Sequence, residues 1–150
     1  MAVLVIAEHD NSVLKTSTFN TITAATNLSD DIHLLIIGKD IETLSNNAKS
    51  IYPIKKVLKC DNSKLENFIP ELSAPIISNI ANGYTHILAP ASTFGKNLLP
   101  RVSALLDITQ ISDVIEIVTE NTFVRPIYAG NSISHVETDQ NINLLTIRPT

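Results

Sequence analysis

The sequence predicts an α/β fold: an open, mainly parallel, twisted sheet with helices on both faces, extended by antiparallel strands in the last third of the chain. Three observations predict it. Short apolar runs at residues 3–7, 32–37 and 85–89 read as strands, the first of them continuous enough to be buried on both faces. The segments between them carry apolar residues every three or four positions, the period of a helix. After Gln110 that alternation stops, and four strand-like runs follow with no room for helices between them.

Each element has its own signal. Asp10, Asn11 and Ser12 offer caps for a helix over residues 12–28, in which Leu14, Phe19, Ile22, Ala25 and Leu28 keep roughly helical spacing. The second strand, 32–37, ends at Gly38, and Ile41, Leu44, Ala48 and Ile51 mark a short helix after it. A third strand over 55–60 centres on Val57 and Leu58. Residues 61–82 read as mainly helical, with Pro70 and Pro75 starting, kinking or interrupting the helix. The fourth strand, 85–89, runs into Pro90. A helix over 96–107 then places Leu98, Leu99, Val102, Leu105 and Leu106 on one side. The strands of the last third fall at 111–118, 123–129, 133–136 and 144–147, with Gly130–Asn131 as a two-residue hairpin turn. At 150 residues, the expectation is a single α/β domain over 1–150.

Composition narrows the function classes. The net charge is −4, and no Lys/Arg cluster exceeds the pair Lys55–Lys56, so several cations do not converge on a nucleic-acid backbone; no nucleic-acid partner is expected. Charged residues make up 17% of the chain, below the roughly 25% typical of soluble domains, which fits a surface partly covered by a partner or simple compositional drift. The single cysteine, Cys60, leaves no internal disulfide, and four scattered histidines show no metal-ligand spacing. A reducing compartment follows. No run approaches the ~18 apolar residues of a membrane helix, and no membrane insertion is expected.

The loop Ser92, Thr93, Phe94, Gly95, Lys96, Asn97 is the first candidate site. Amides at a helix N-terminus attract anions, Gly95 permits close approach, and Lys96 adds charge. The spacing is not that of a P-loop, and capping by Ser92 or Thr93 is the competing reading. Arg101 lies at the edge of the apolar stripe of the helix, able to pair with Asp107 or Asp113, to reach a partner, or simply to lie along the surface. Glu8 and His9 end the first strand, where open α/β sheets place catalytic groups, but no nucleophile or second carboxylate can be set beside them. No catalytic residue and no metal ligand is named. Cys60 reads as a packed thiol rather than a nucleophile.

Five words carry a family resemblance: VLVIAEHDN (3–11), LKTSTFNTITAA (14–25), YTHILAPASTFGKNLLPRVSALLD (84–107), QISDV (110–114) and FVRPIYAGN (123–131). In this order and spacing they resemble the N-terminal domain of the electron transfer flavoprotein α subunit, over nearly the whole chain. Between residues 38 and 82 the likeness is mainly one of pattern. The resemblance implies an adenine-nucleotide-α-hydrolase-like sheet. It implies a heterodimer with a β subunit that holds one FAD and carries electrons from acyl-CoA or other flavin dehydrogenases to a quinone reductase, in a bacterial cytoplasm or mitochondrial matrix. In that family the FAD pocket belongs largely to a C-terminal domain of α. This chain stops at Arg148-Pro149-Thr150, about where that domain would begin, so the reading expects a fragment that acts as scaffold and alone binds no cofactor. No FAD-contacting residue is carried over. The resemblance also puts Arg101, Arg125, Tyr128 and the 123–131 hairpin near domain or subunit boundaries. The alternative from the residues is a stand-alone adenine-nucleotide-binding module, using residues 7–10, Gly38 and the loop at Ser92.

Overall fold

The computed structural model describes residues 1–149. The first two-thirds alternate as the sequence predicts: β1 (Ala2–Ile6), α1 (Thr16–Ala25), β2 (Asp31–Gly38), α2 (Glu42–Ala48), β3 (Ile54–Asp61), α3 (Pro70–Ile80), β4 (His86–Pro90) and α4 (Thr93–Leu106). Then come β5 (Gln110–Val114), β6 (Glu116–Thr119), β7 (Thr122–Ile127), β8 (Ser132–Glu137) and β9 (Asn143–Ile147). Six strands form a parallel sheet in the order β3-β2-β1-β4-β9-β5, and β6-β7-β8 form a separate antiparallel sheet.

The sheet is wound in two directions from its centre. One apolar layer joins α1 and α2 to it through Ile22, Ala25, Leu44 and Ala48 against Val3, Val5 and Leu34. The other joins α3 and α4 through Ala74, Ile77, Leu98 and Val102 against Leu4, Ile6 and Ile87. Alternate residues of β1 therefore enter opposite layers, which is why the strand is apolar throughout. Burying each such Leu, Ile or Val stabilises the fold by about 1.5–3 kcal/mol.

Pro70 sits in the first turn of α3, where its missing N–H leaves no intrahelical bond unmade. The stretch before it is not helical apart from one 3-10 turn at Ser63–Leu65, so the helix is shorter than the period alone predicts. The first helix, too, is shorter than the period predicts, starting at Thr16 rather than Ser12. Asp10 Oδ1 accepts from the amides of Ser12 and Val13 at 2.9 and 2.8 Å, making a turn where a helix would begin.

The last third is strand-rich as expected, with a different distribution. The antiparallel strands form their own sheet instead of lengthening the main one. β5 and β9 join the main sheet in parallel, β9 between β4 and β5 and fully buried. The run 111–118 is broken at Ile115, because Asp113 adopts φ 57° and shifts the register of β5 against β9. The β7–β8 connection holds Tyr128, Ala129 and Gly130 at φ 52°, 55° and 87° and is not the two-residue turn at Gly130–Asn131. Phe123 of β7, with no exposed surface, joins Ile111, Val114, Leu145 and Ile147 in one cluster and so fastens the small sheet to the large one.

Candidate functional site

In an open α/β sheet the ligand crevice lies beyond the strand ends where the winding reverses, here between β1 and β4. The side chains at that point are Glu8, after β1, and Ser92, after β4. Glu8 Oε1 accepts from Ser92 Oγ at 2.8 Å and from Ser17 Oγ at 2.7 Å, while Lys15 Nζ stands 3.9 Å from Oε2. The carboxylate thus bridges β1, α1 and the loop entering α4. Ser92 occupies the N-cap position of α4 with extended φ/ψ of −90° and 178°, but its hydroxyl makes no bond to its own helix. The capping reading of Ser92 is corrected accordingly: the hydroxyl is turned across the crevice to Glu8.

His9 is equally committed. Its Nε2 lies 2.8 Å from the Ile37 carbonyl and its Nδ1 accepts from the Asn11 amide at 2.9 Å, so Nε2 carries the proton. Burial, the largest influence, holds this imidazole below its ordinary pKa of 6.5, opposed by the Ile37 carbonyl and Asp10. Asn11, at φ 71°, bonds Glu66 O and the Lys39 amide. A Cβ on Gly38 would stand 2.8 Å from His9 Cε1, which explains the glycine there. Glu8 and His9 therefore take part in separate hydrogen-bond networks.

The predicted loop divides in the structure. Gly95 is buried, and a Cβ there would overlap the carbonyl oxygen of Pro90; the residue lets α4 approach the end of β4. Thr93 and Asn97 are exposed. Lys96 points instead toward β5, its Nζ 3.4 Å from Asp113 Oδ1.

That pair lies in an open cleft of about 690 Å³, formed where the β7–β8 connection rises beside the C-terminal ends of β9 and β5. Lys96, Asp113, Arg125, Tyr128 and Arg148 all line it. Arg125 Nε donates to Ser112 O at 2.8 Å and Nη2 to Ser112 Oγ at 3.2 Å, which fixes the guanidinium against the bulge in β5. Of the residues singled out from sequence, Lys96, Arg125 and Tyr128 thus converge. Arg101 does not: it pairs with Glu71 of α3 at 2.9 Å, on the outer helical face, and not with Asp107 or Asp113. Sequence spacing alone does not join Arg148 and Asp113, which the strand order brings into the same cleft. Arg148 carried the only signal, a cation at the end of a strand.

Two further networks lie at the opposite end of the sheet. His33 Nδ1 is 2.8 Å from Tyr84 Oη and its Nε2 is 2.9 Å from Asp31 Oδ1, tying β2 to the approach to β4. Burial, and then Asp31, push the Tyr84 hydroxyl above its ordinary pKa. His86, 2% exposed, contacts the Glu120 carbonyl through Nε2 at 2.7 Å and Thr85 Oγ1 through Nδ1 at 2.8 Å. Among the described residues, no cluster of three His, Cys, Asp or Glu could hold a metal ion, and no helix is long and apolar enough to cross a membrane.

Comparison with known proteins matches the electron transfer flavoprotein domain over residues 3–150. The chain is 45% identical over 150 residues to the electron transfer flavoprotein subunit alpha of Pseudomonas aeruginosa, covering 100% of this chain and 48% of that protein. It is 41% identical over 155 residues to the mitochondrial subunit alpha of Dictyostelium discoideum (98% and 44%). Against that of Arabidopsis thaliana it is 39% identical over 158 residues (100% and 44%). The chain spans about half the length of the curated relatives it matches.

Proposed function

The chain belongs to the electron transfer flavoprotein family, and from that premise we propose that it works as the scaffold of an α subunit, binding a β subunit in a carrier that contains FAD. The observation that carries this reading is the likeness to α subunits along the entire chain. In this reading the intact heterodimer takes electrons from acyl-CoA or other flavin dehydrogenases and delivers them to a quinone reductase. The relatives include bacterial and mitochondrial proteins, and the compartments we propose are the bacterial cytoplasm or the mitochondrial matrix.

The residues present do not fit a flavin by themselves. An isoalloxazine needs a burying pocket with hydrogen bonds that tune it. Here the central crevice is closed by Glu8 and Ser92, and the cleft beside it is open and largely polar. We therefore assign the flavin pocket to the remainder of the α subunit together with β. The engagement of Glu8, Ser92 and both ring nitrogens of His9 in internal hydrogen bonds supports a non-catalytic role.

For the partner surface we propose the small sheet. Tyr128 is 77% exposed and Ile133 is 62% exposed, and among the described residues β8 pairs only with β7, leaving an edge that another strand or loop can cover. Arg125, rooted in this sheet, and Arg101 on the outer helices are further proposed contacts. Arg101 has exposed Leu105 one turn along α4 and exposed Leu72 on α3 beside its Glu71 partner. Co-purification with a cognate β subunit tests the reading: capture of β by the flavin-free chain supports it, and failure to bind β at micromolar concentrations counts against it.

A further inference from the structure

We propose that the cleft between the start of α4 and the β7–β8 connection binds a phosphate-bearing anion, either free pyrophosphate or the diphosphate of a nucleotide. This goes beyond the scaffold reading and does not depend on it.

The first argument is charge. The whole chain is acidic, with 15 carboxylate residues against 11 Lys and Arg. The cleft reverses that balance among the described residues: Lys96, Arg125 and Arg148 line it, with Asp113 as the one carboxylate side chain. The three cations come from α4, β7 and the residue after β9, so the insertion of β9 between β4 and β5 is what assembles them. Concave walls lined by one sign of charge concentrate counter-ions.

The second argument is readiness to bind. Two N–H donors of Arg125 are used on Ser112, which fixes the plane of the guanidinium while its remaining donors stay free for a ligand. Lys96 and Asp113 are held at 3.4 Å with more than half of the lysine side chain exposed, a pairing worth little in water and readily exchanged. Arg148 is exposed at the rim.

The third argument selects the ligand. A monoanionic carboxylate would only repeat what Asp113 already does. A phosphate dianion or diphosphate matches the excess positive charge and has enough oxygens to meet two arginines and a lysine together. The volume of about 690 Å³ admits a nucleotide as well as the bare diphosphate.

Calorimetric titration of the 150-residue chain with inorganic pyrophosphate, and separately with ADP, tests the site at low ionic strength. Saturable one-to-one binding is expected, weakened at least about tenfold by Arg148→Gln or Lys96→Gln. Asp113→Asn should tighten it by removing the competing carboxylate, and Asn tolerates the left-handed backbone there. Lys56→Gln, an exposed cation on the far edge strand β3, should leave it unchanged. Equal affinity for both probes would identify the diphosphate as the recognised group, and tighter ADP binding would add the nucleoside. Absence of saturable binding for either probe overturns the proposal. So does a Lys56→Gln effect as large as that of Arg148→Gln, the mark of diffuse attraction. Capture of β is a separate readout, so this site and the scaffold role can fail independently.

Discussion

Ser92 Oγ lies 2.8 Å from Glu8 Oε1, across the point where the winding of the sheet reverses. The bond closes the place where this architecture most often receives a ligand, and it fixes the entry of α4 relative to β1. A hydrogen bond to a charged acceptor contributes about 1.5–3 kcal/mol. Ser92→Ala should therefore lower stability by about 2 kcal/mol in urea unfolding. Because the hydroxyl acts through Glu8, the Ser92→Ala/Glu8→Ala cycle should show a coupling of about 1 kcal/mol. Zero coupling would mean that Ser92 acts locally on its helix.

The four glycines of the chain are not equivalent. Gly95→Ala forces a Cβ onto the Pro90 carbonyl oxygen, backbone that cannot give way without moving α4 from β4. A loss of about 3 kcal/mol is expected. Gly83 has open space at the same position, and Gly83→Ala should fall within about 0.5 kcal/mol of the parent. Similar melting temperatures for the two variants would refute the packing role of Gly95.

His86 makes stability depend on pH. Burial is the main cause holding its pKa below 6.5, and the Glu120 carbonyl and carboxylate only partly offset this. The unfolded chain then binds the proton more readily than the folded one. Stability is fully present above pH 6.5 and declines as pH falls through the interval down to the folded value. The slope for this residue can reach about 1.4 kcal/mol per pH unit. His9, shifted the same way by burial, adds to the effect. Urea midpoints measured from pH 7.5 down to about pH 5 should fall, and His86→Gln should flatten the decline. An unchanged decline in that variant would exclude His86 as its source.

Phe123 is the principal apolar link between the two sheets. Phe123→Ala should cost about 3–5 kcal/mol. Tyr128→Ala, at an exposed position, should leave stability nearly unchanged while weakening the proposed association with β by about tenfold. Surface plasmon resonance against immobilised β separates the two, and wild-type affinity in Tyr128→Ala would remove that residue from the interface.

The parallel half of the fold was legible because β1 is apolar throughout and β2 and β4 are mostly apolar, with His33 and His86 among the polar exceptions near their N-terminal ends. The placement of β5 and β9 was not. Local pattern shows that a segment is extended but not which strand it adjoins, and β9 reaches its slot only after the β6–β8 sheet has intervened. The break near Ile115 depends on the left-handed Asp113, a conformation that aspartate permits but does not dictate. The same limit applied to the cleft. Lys96 belongs to the loop at Ser92 and Arg125 and Tyr128 to the 123–131 hairpin, and their convergence with Arg148 depends on the strand order. Local pattern offers Ser92 only as a loop donor or a helix cap; the acceptor it actually meets, Glu8, lies 84 residues away.

The central claim, a partner-binding scaffold whose flavin chemistry lies outside this chain, is tested most directly by native mass spectrometry of the purified chain with and without FAD, AMP and a cognate β subunit. The account predicts a chain that acquires the mass of β and retains no flavin by itself. A stoichiometric flavin held without β, or a chain that stays alone in the presence of β, would contradict it.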